Sequence, residues 1–486
     1  MFPNLSETLS LSREGQQSIL IRVEVAIRKG LPVFQILGLA SPITKESKDR
    51  IRIALESSGF VFPFDAIIVN LQPSHKTKGT SFFDLAICLG ILKATGQWEP
   101  SSNTELVALG ALSLSGEIHG SKELLDLIRA YPKSHGTTFL VPEEIRKETL
   151  PTGYYIFIRH LSDLHSNNRS PVSIQLEVPK PKESEECWEE MLLTYDQMKG
   201  FQAICYAILG GHHTLIIGNP GTGKTLLARM ASAIQPQWSI TELNESETPF
   251  HLFDNDGKLK ARPFRSPHHT STEQALVGGG SPLVLGEVSL ANGGILFLDE
   301  LTEFKDRALE SLREPLDSGK IYLSRVYHRE TLPANFLLIA AMNPCPCGNY
   351  NGMRNCHCSK KQMKDYLKKL SGPLIDRIPI HVQLFQKMEA RTVKVKRSEI
   401  LERLEKARIF KENSLGIENQ KFLNRDILRE HLPEQELGYL SHRQISNIMR
   451  LARTIADFNL SPTISKPNLL EAYEFVQNSL FFEDIK

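Results

Sequence analysis

The segment ILIRVEVAI (19–27) alternates apolar and polar residues from Ile21 to Val25, the period of a half-buried strand. Short apolar runs follow at AIIVNL (66–71), LVALGALSL (106–114) and TTFLVP (137–142). Between them, KESKDRIRIALESSGF and FDLAICLGILKATG carry helical spacing, and Gly59 and Gly96 stand where helix C-caps are common. This pattern predicts an α+β domain over residues 1–165. Pro, Ser and charged residues then gather in SNNRSPVSIQLEVPKPKESEE, and residues 166–190 read as a linker. A second pattern opens near Trp188, where helices alternate with strongly apolar runs: HTLIIG (213–218), GGILFLDE (293–300) and NFLLIAAMN (335–343). Near-continuous apolar strands separated by helices predict a parallel sheet covered on both faces, here over 191–390. From about Ser398 the pattern turns all-helical, which sets off residues 391–486.

The chemistry sits at the ends of those apolar runs. GNPGTGKT (218–225) follows one strand and precedes helical LLARMASAI, the context that a GxxxxGK[ST] loop requires. Gly218, Asn219, Pro220, Gly221, Thr222 and Gly223 form the loop, whose glycines let backbone N–H groups face phosphate oxygens at a helix N-terminus. Lys224 is placed to reach the β- and γ-phosphates, Thr225 to ligate Mg²⁺, and Leu226 completes the nucleotide-binding stretch. ILFLDE delivers Asp299 to the metal and Glu300 to polarise the attacking water. Asn343 closes the third apolar strand, in position to orient that water or sense the γ-phosphate. ATP and Mg²⁺ are the expected ligands.

Composition narrows the classes. The chain has 486 residues, 41% hydrophobic and 23% charged, a globular makeup long enough for about three domains. Its formal net charge of +1 advertises no nucleic acid globally, so any basic surface is local. No apolar run reaches the roughly 18 residues of a membrane span. The opening MFPNLSETLSLSREGQQ lacks a secretory signal pattern, so a cytoplasmic protein is expected. In that compartment clustered cysteines favour metal or redox chemistry over disulfides. Four of the seven cysteines, Cys345, Cys347, Cys356 and Cys358, form C-x-C-x8-C-x-C. Four thiolates suit tetrahedral Zn²⁺ in a closed structural site; an Fe–S cluster, His357 replacing one thiolate, and reduced thiols in a loop stay open. GKIYLSRVYHRETLPANF (319–336) reads as a hairpin with a basic tip of Lys320, Arg325, His328 and Arg329. SKKQMKDYLKKL (359–370) reads as a basic helix with Tyr366 between lysines. Both are solvated faces or phosphate contacts.

RPFRSPHHTSTEQALVGGG, GEVSLANGGILFLDEL, LREPLDSGKI, AAMNPCPCG and LSGPLIDRI together resemble the magnesium-chelatase-like AAA+ proteins of the ComM/YifB type. The likeness extends to GLPVFQILGLASPITKESKDRIRIALESSGF upstream and LSHRQISNIMRLARTIADF downstream. It implies an α/β fold: an AAA+ P-loop parallel sheet with a helical lid, preceded by an α+β Lon-protease-like domain of ribosomal S5 fold. It implies homo-hexameric rings and ATP-driven branch migration of DNA, single-stranded or branched, during natural transformation, with recombination proteins as partners. By position in the motif, Arg377 would be an arginine finger reaching the neighbouring subunit's site, and Arg443 a lid arginine sensing the same phosphate. The hairpin 319–336 and the insert around SPHHTSTEQALVGGG would face the ring's pore. Two segments depart from the pattern. MKGFQ (198–202) has Phe201 where the family's V-x-GQ stretch has glutamine. HKTKGTSFFDLAI has Phe82 about where a Lon-type serine would stand, with Ser81 one position off and Lys122 as the remaining partner, so proteolysis is not expected. The alternative to a DNA motor is a chelatase-type or chaperone-like remodeller of a protein partner.

Overall fold

The computed structural model describes residues 4–14, 17–38, 41–73, 82–100, 105–131, 136–148, 150–166, 170–175, 188–239, 242, 261–280, 284–324, 329–350, 355–384, 391–414 and 440–477. Two compact units emerge, residues 1–180 with 238–260, and residues 181–237 with 261–486.

The first unit is built on an eight-stranded mixed sheet. The alternating segment 19–27 lies in strand Gln17–Arg28, with Ile21, Val23, Val25 and Ile27 buried and Arg22 outside. Its antiparallel neighbours are Asn4–Glu14 and Ala66–Gln72. Asn4–Glu14 escaped the apolar-pattern reading because its buried positions include Ser6, Ser10 and Ser12. The hydroxyls of Ser6 and Thr8 donate to the carbonyls of Gly90 and Ala86, at 2.6 and 2.8 Å, on the helix Phe83–Ala94. Hydroxyl-to-carbonyl bonds here satisfy buried polar groups that would otherwise cost stability. Strands Glu105–Ala108, Thr137–Pro142 and Gly153–Ile158 extend the other side in parallel. Beyond them Val172–Ile174 pairs antiparallel with Gly153–Ile158. Part of the stretch read as a linker is therefore an edge strand; its three residues are too few to show a period. Helices Ser41–Ser57 and Phe83–Ala94 bury against one core with Val23, Val25 and Val69. Lys122–Arg129 fills a second core with Leu11, Val107 and Val141. Phe82 is buried in that second core, so the residue near the protease-serine position is packing; Ser81 lies outside the described residues.

The second unit carries a five-stranded parallel sheet in the order Phe264–Arg265, Ile295–Leu298, Leu337–Met342, Thr214–Gly218, Ile380–Leu384. Register aligns Ile216 with Ala341 on one side and Val382 on the other, and Phe297 with Ile339. The three strands expected from apolar runs are the middle ones, where neighbours cover both edges and helices both faces. The outer two were not anticipated. Phe264–Arg265 is two residues long, and His381 and Gln383 interrupt the apolar run of the other. One face packs against helices Tyr195–Gly210, Lys224–Ala233, Arg397–Ser414, His442–Phe458 and Lys466–Gln477. The other holds Leu215, Leu296, Leu338 and Met342 with Leu309, Leu367 and Leu374. A two-stranded ribbon, Glu190–Thr194 with Thr392–Lys396, ties the start of this unit to the start of its helical end.

Candidate nucleotide and metal sites

Three parallel strands end side by side, and their last residues meet. Gly221 and Gly223 have φ of +79° and +93°, the left-handed region that favours glycine, so the loop 218–223 turns tightly into helix Lys224–Ala233. Lys224 Nζ donates to the Gly218 and Asn219 carbonyls at 2.7 and 3.0 Å and to Asn343 Oδ1 at 3.1 Å. Partial burial lowers the lysine's pKa, and the Asp299 and Glu300 carboxylates oppose that shift. Thr225 Oγ1 donates to Asp299 Oδ2 at 2.9 Å. The hydroxyl and carboxylate expected to share a divalent cation are therefore adjacent. Hard oxygen donors on an otherwise lysine-bearing loop suit Mg²⁺ with phosphate oxygens and water completing the shell. The structure thus brings together residues 218–226, Asp299, Glu300 and Asn343.

Glu300 stands at φ +52°, ψ +48°, unusual for a non-glycine residue. Backbone strain of about 1–3 kcal/mol is tolerated where surroundings over-determine it, commonly at functional sites. Its N–H donates to Asp299 Oδ1 at 2.9 Å, and its Oε2 faces His269 Nδ1 at 3.2 Å. Neither His269 nor Gln197 was singled out from sequence. Gln197 Nε2 donates to the Thr222 carbonyl at 2.9 Å while its Oε1 accepts from Thr194 N, part of a capping box. A T-x-x-Q box four residues upstream of Phe201 was the available signal. Phe201 itself is fully buried, so the position expected to hold the family glutamine serves the core.

Arg377 and Arg443 converge elsewhere in the unit. Arg377 donates from Nε to Asp317 Oδ2 at 2.8 Å, again from Nη2 to the same oxygen, and to the Arg313 and Pro373 carbonyls. Arg443 Nη2 donates to the other oxygen, Asp317 Oδ1, at 2.6 Å. Partial burial alone would raise the Asp317 carboxyl; the two guanidinium groups overcome it and lower the pKa. Asp317 sits in the segment LREPLDSGKI (312–321), yet nothing in its spacing marks it as the common partner.

The four cysteine sulfurs all lie within 4.8 Å of one another. Cys345 Sγ is 3.4 Å from Cys347 Sγ and 3.7 Å from Cys356 Sγ, and Cys347 to Cys356 is 3.6 Å. A tetrahedron of thiolates at Zn–S ≈ 2.3 Å has an edge of about 3.8 Å, so this set fits a single ion. An iron–sulfide cluster, with several irons between the thiolates, needs them further apart. A backbone hydrogen bond from Asn349 draws the Cys347 thiol down to about 6, whereas burial pushes Cys345 up to about 12.

The hairpin expected at 319–336 is present as Lys320–Ser324 paired antiparallel with Arg329–Pro333; its tip, with Arg325 and His328, lies outside the described residues. The basic helix is Lys360–Leu367, but Tyr366 faces inward and accepts from Thr302 Oγ1 at 2.6 Å. Tyr366 is a packing residue and not a surface contact between lysines. No helix among the described residues is long and apolar enough to cross a membrane.

A parallel sheet in this strand order, with a glycine loop facing an Asp–Glu strand end and a helical lid, defines an AAA+ P-loop ATPase module. Three family profiles match along the chain: subunit ChlI of Mg-chelatase over residues 23–145, magnesium chelatase subunit ChlI over 191–393, and the ChlI C-terminal region over 386–475. The chain is 33% identical to Competence protein ComM of Haemophilus influenzae, across 96% of this chain and 97% of that protein. It is 35% identical to YifB of Salmonella typhimurium, across 94% of each. About 31% of it is also 25% identical to Lon protease 2 of Bacillus subtilis, covering 32% of that protein. The chain belongs to the ComM/YifB family of magnesium-chelatase-like AAA+ proteins.

Proposed function

We propose that this protein is a cytoplasmic, hexameric ATP-driven motor that moves DNA, performing branch migration or helicase work as incoming DNA is recombined during natural transformation. The observation that carries the ATPase is the meeting of three strand ends: Lys224 on Asn343 at 3.1 Å and Thr225 on Asp299 at 2.9 Å. Lys224 exchanges its backbone carbonyl partners for the β- and γ-phosphates when nucleotide enters. Thr225 and Asp299 would hold Mg²⁺, whose charge would offset that on the phosphate oxygens. Glu300 accepts a proton from the attacking water, and its strained backbone fixes the carboxylate's direction. Asn343 orients that water or contacts the γ-phosphate. Arg377 and Arg443 act together on the neighbouring subunit's phosphate, which their shared hold on Asp317 favours. Cys345, Cys347, Cys356 and Cys358 would hold Zn²⁺, in a structural and not a catalytic role. The domain reading is 1–165 Lon-like, 191–390 ATPase and 391–486 lid. The DNA assignment is supported by similarity, end to end, to a competence protein.

Steady-state ATPase rates with single-stranded, duplex and four-way-junction DNA test it, with Glu300→Gln as the blank. Stimulation greatest on branched DNA and falling steeply with salt is expected, because phosphate contacts release counterions. A healthy basal rate indifferent to every DNA would refute the DNA motor and turn the search to a protein partner.

A further inference from the structure

The cysteine loop is fastened to the phosphate-binding loop at two places. Where the loop begins, Asn343 Oδ1 accepts from Lys224 Nζ. Five residues on, Asn219 Nδ2 donates to the Gly348 carbonyl at 2.6 Å and to the Tyr350 carbonyl at 3.1 Å. Both partners are carbonyls, so only the amide's NH₂ can point at them. Asn219 is 3% exposed, and its Oδ1 takes no bond among the described residues. The cysteine loop alone therefore orients this side chain. Gly348 also lies flat against Pro220: a Cβ there would stand 2.8 Å from the proline ring, at φ +75°. Gly348 follows Cys347 directly, and its N–H donates to the Cys345 carbonyl at 2.9 Å.

We propose that the four cysteines hold a single zinc ion that is a working part of the nucleotide site, and that zinc occupancy sets nucleotide affinity through Asn219. The inference rests on the reading of residues 218–225 as the nucleotide loop. Residues 343–358 contain little apolar side chain to close the loop unaided, so a cross-link among its cysteines supplies most of its order. With the ion bound, Gly348 and Tyr350 are fixed under Asn219 and Pro220, and the P-loop is held in its phosphate-ready turn. Without it, both carbonyls leave Asn219, and the P-loop must be ordered by the nucleotide itself. Two ordinary hydrogen bonds correspond to about a tenfold change in affinity. Coupling of this kind is reciprocal: nucleotide must tighten zinc by the same factor.

The test uses the full chain with excess Mg²⁺. Zinc per chain is measured by elemental analysis, and affinity for a fluorescent ADP analogue by titration, before and after removal by a zinc-selective chelator. One zinc per chain, about tenfold weaker binding after removal, and recovery on adding zinc are expected. Asn219→Ala should bind ADP weakly whether or not zinc is present. Should the stripped protein unfold, retention of zinc against graded chelator is compared with and without ADP. ADP should raise zinc affinity about tenfold in the wild type and leave Asn219→Ala unmoved. Unchanged ADP affinity in stripped, folded protein, or zinc retention indifferent to ADP, would overturn the coupling while leaving the nucleotide site standing. Failure to bind zinc overturns it at the metal. Zinc-loaded wild type that binds no ADP overturns the nucleotide reading first, and this inference with it.

Discussion

Replacing Asp317 by asparagine removes the one charge that both candidate phosphate-sensing arginines share. The side chain stays the same size, so packing is preserved and the change is electrostatic. Asp317 is 41% exposed, Arg377 14% and Arg443 44%, so the pairs are partly screened by solvent. Exposed ion pairs are worth roughly 0.2–1 kcal/mol each, which puts the stability loss near 1 kcal/mol and a few degrees of Tm. The pH dependence has a definite sign. Because the folded carboxyl is lowered, its contribution is present above the unfolded value of about 4 and disappears as pH falls through the folded one. The stability gap between wild type and variant should therefore be full at neutral pH and vanish in acid. The effect on turnover is larger. Arg377 retains the Arg313 and Pro373 carbonyls, but Arg443 has no other side-chain bond among the described residues. Displacing a phosphate-contacting group by about 1 Å costs on the order of a hundredfold, against 10³–10⁵ for losing a finger outright. Asp317→Asn should thus lower kcat roughly 10- to 100-fold with nucleotide Kd within about twofold, measured by steady-state ATPase and ADP titration. A kcat within about twofold of wild type, beside an inactive Arg377→Ala, would show that Asp317 is only a surface ion-pair partner and refute the reasoning.

Lys224→Ala should abolish nucleotide binding or turnover, and normal ATPase activity in that variant would remove the site assignment. Arg377→Ala mixed with Glu300→Gln should recover part of the turnover that each lacks alone, because a finger supplied between subunits is complemented in mixed rings; no recovery speaks against that role. Gly348→Ala places a methyl group against the Pro220 ring at a left-handed backbone position, and should cost about 1–3 kcal/mol in thermal unfolding; a neutral result would mean the two loops are not in contact.

What the residue pattern disclosed follows from where burial is complete. Strands Thr214–Gly218, Ile295–Leu298 and Leu337–Met342 are covered on both faces and paired on both edges, so selection for apolar residues is uninterrupted and their ends could be read as a site. Strand Asn4–Glu14 was invisible because Ser6, Ser10 and Ser12 stand at buried positions, Ser6 bonding a helix carbonyl and Ser10 the Ala108 carbonyl of a neighbouring strand, a polar solution to burial that mimics a surface segment. Phe264–Arg265 and Val172–Ile174 are too short to display any period. The P-loop residues, Asp299, Glu300 and Asn343 could be singled out because the motif demands given residue types at fixed offsets, and the structure brings them within hydrogen-bond reach of one another. Asp317, His269 and Gln197 could not, since a carboxylate, an imidazole or an amide serves in many surroundings and only proximity in the fold gives each its partner.

The run from Asn343 to Arg377 is one continuous excursion between the fourth strand in chain order and the fifth, and it touches both kinds of candidate site. Its first residue accepts from Lys224, Gly348 and Tyr350 hold Asn219, and helix Lys360–Leu367 is pinned through Tyr366 to Thr302, two residues after Glu300. Lys369 adds a second bond, to the Thr302 carbonyl at 3.1 Å. Its last residue holds Asp317 and, through it, the lid's Arg443. Packed interiors shift between discrete arrangements and do not deform continuously. An excursion bonded to the P-loop, to the segment after the Asp–Glu strand and to the arginine pair must therefore choose its arrangement for all three together. A metal ion held by the four cysteine sulfurs, which lie within 4.8 Å of one another, would tie the two ends of that cysteine stretch together between the P-loop anchors and Arg377.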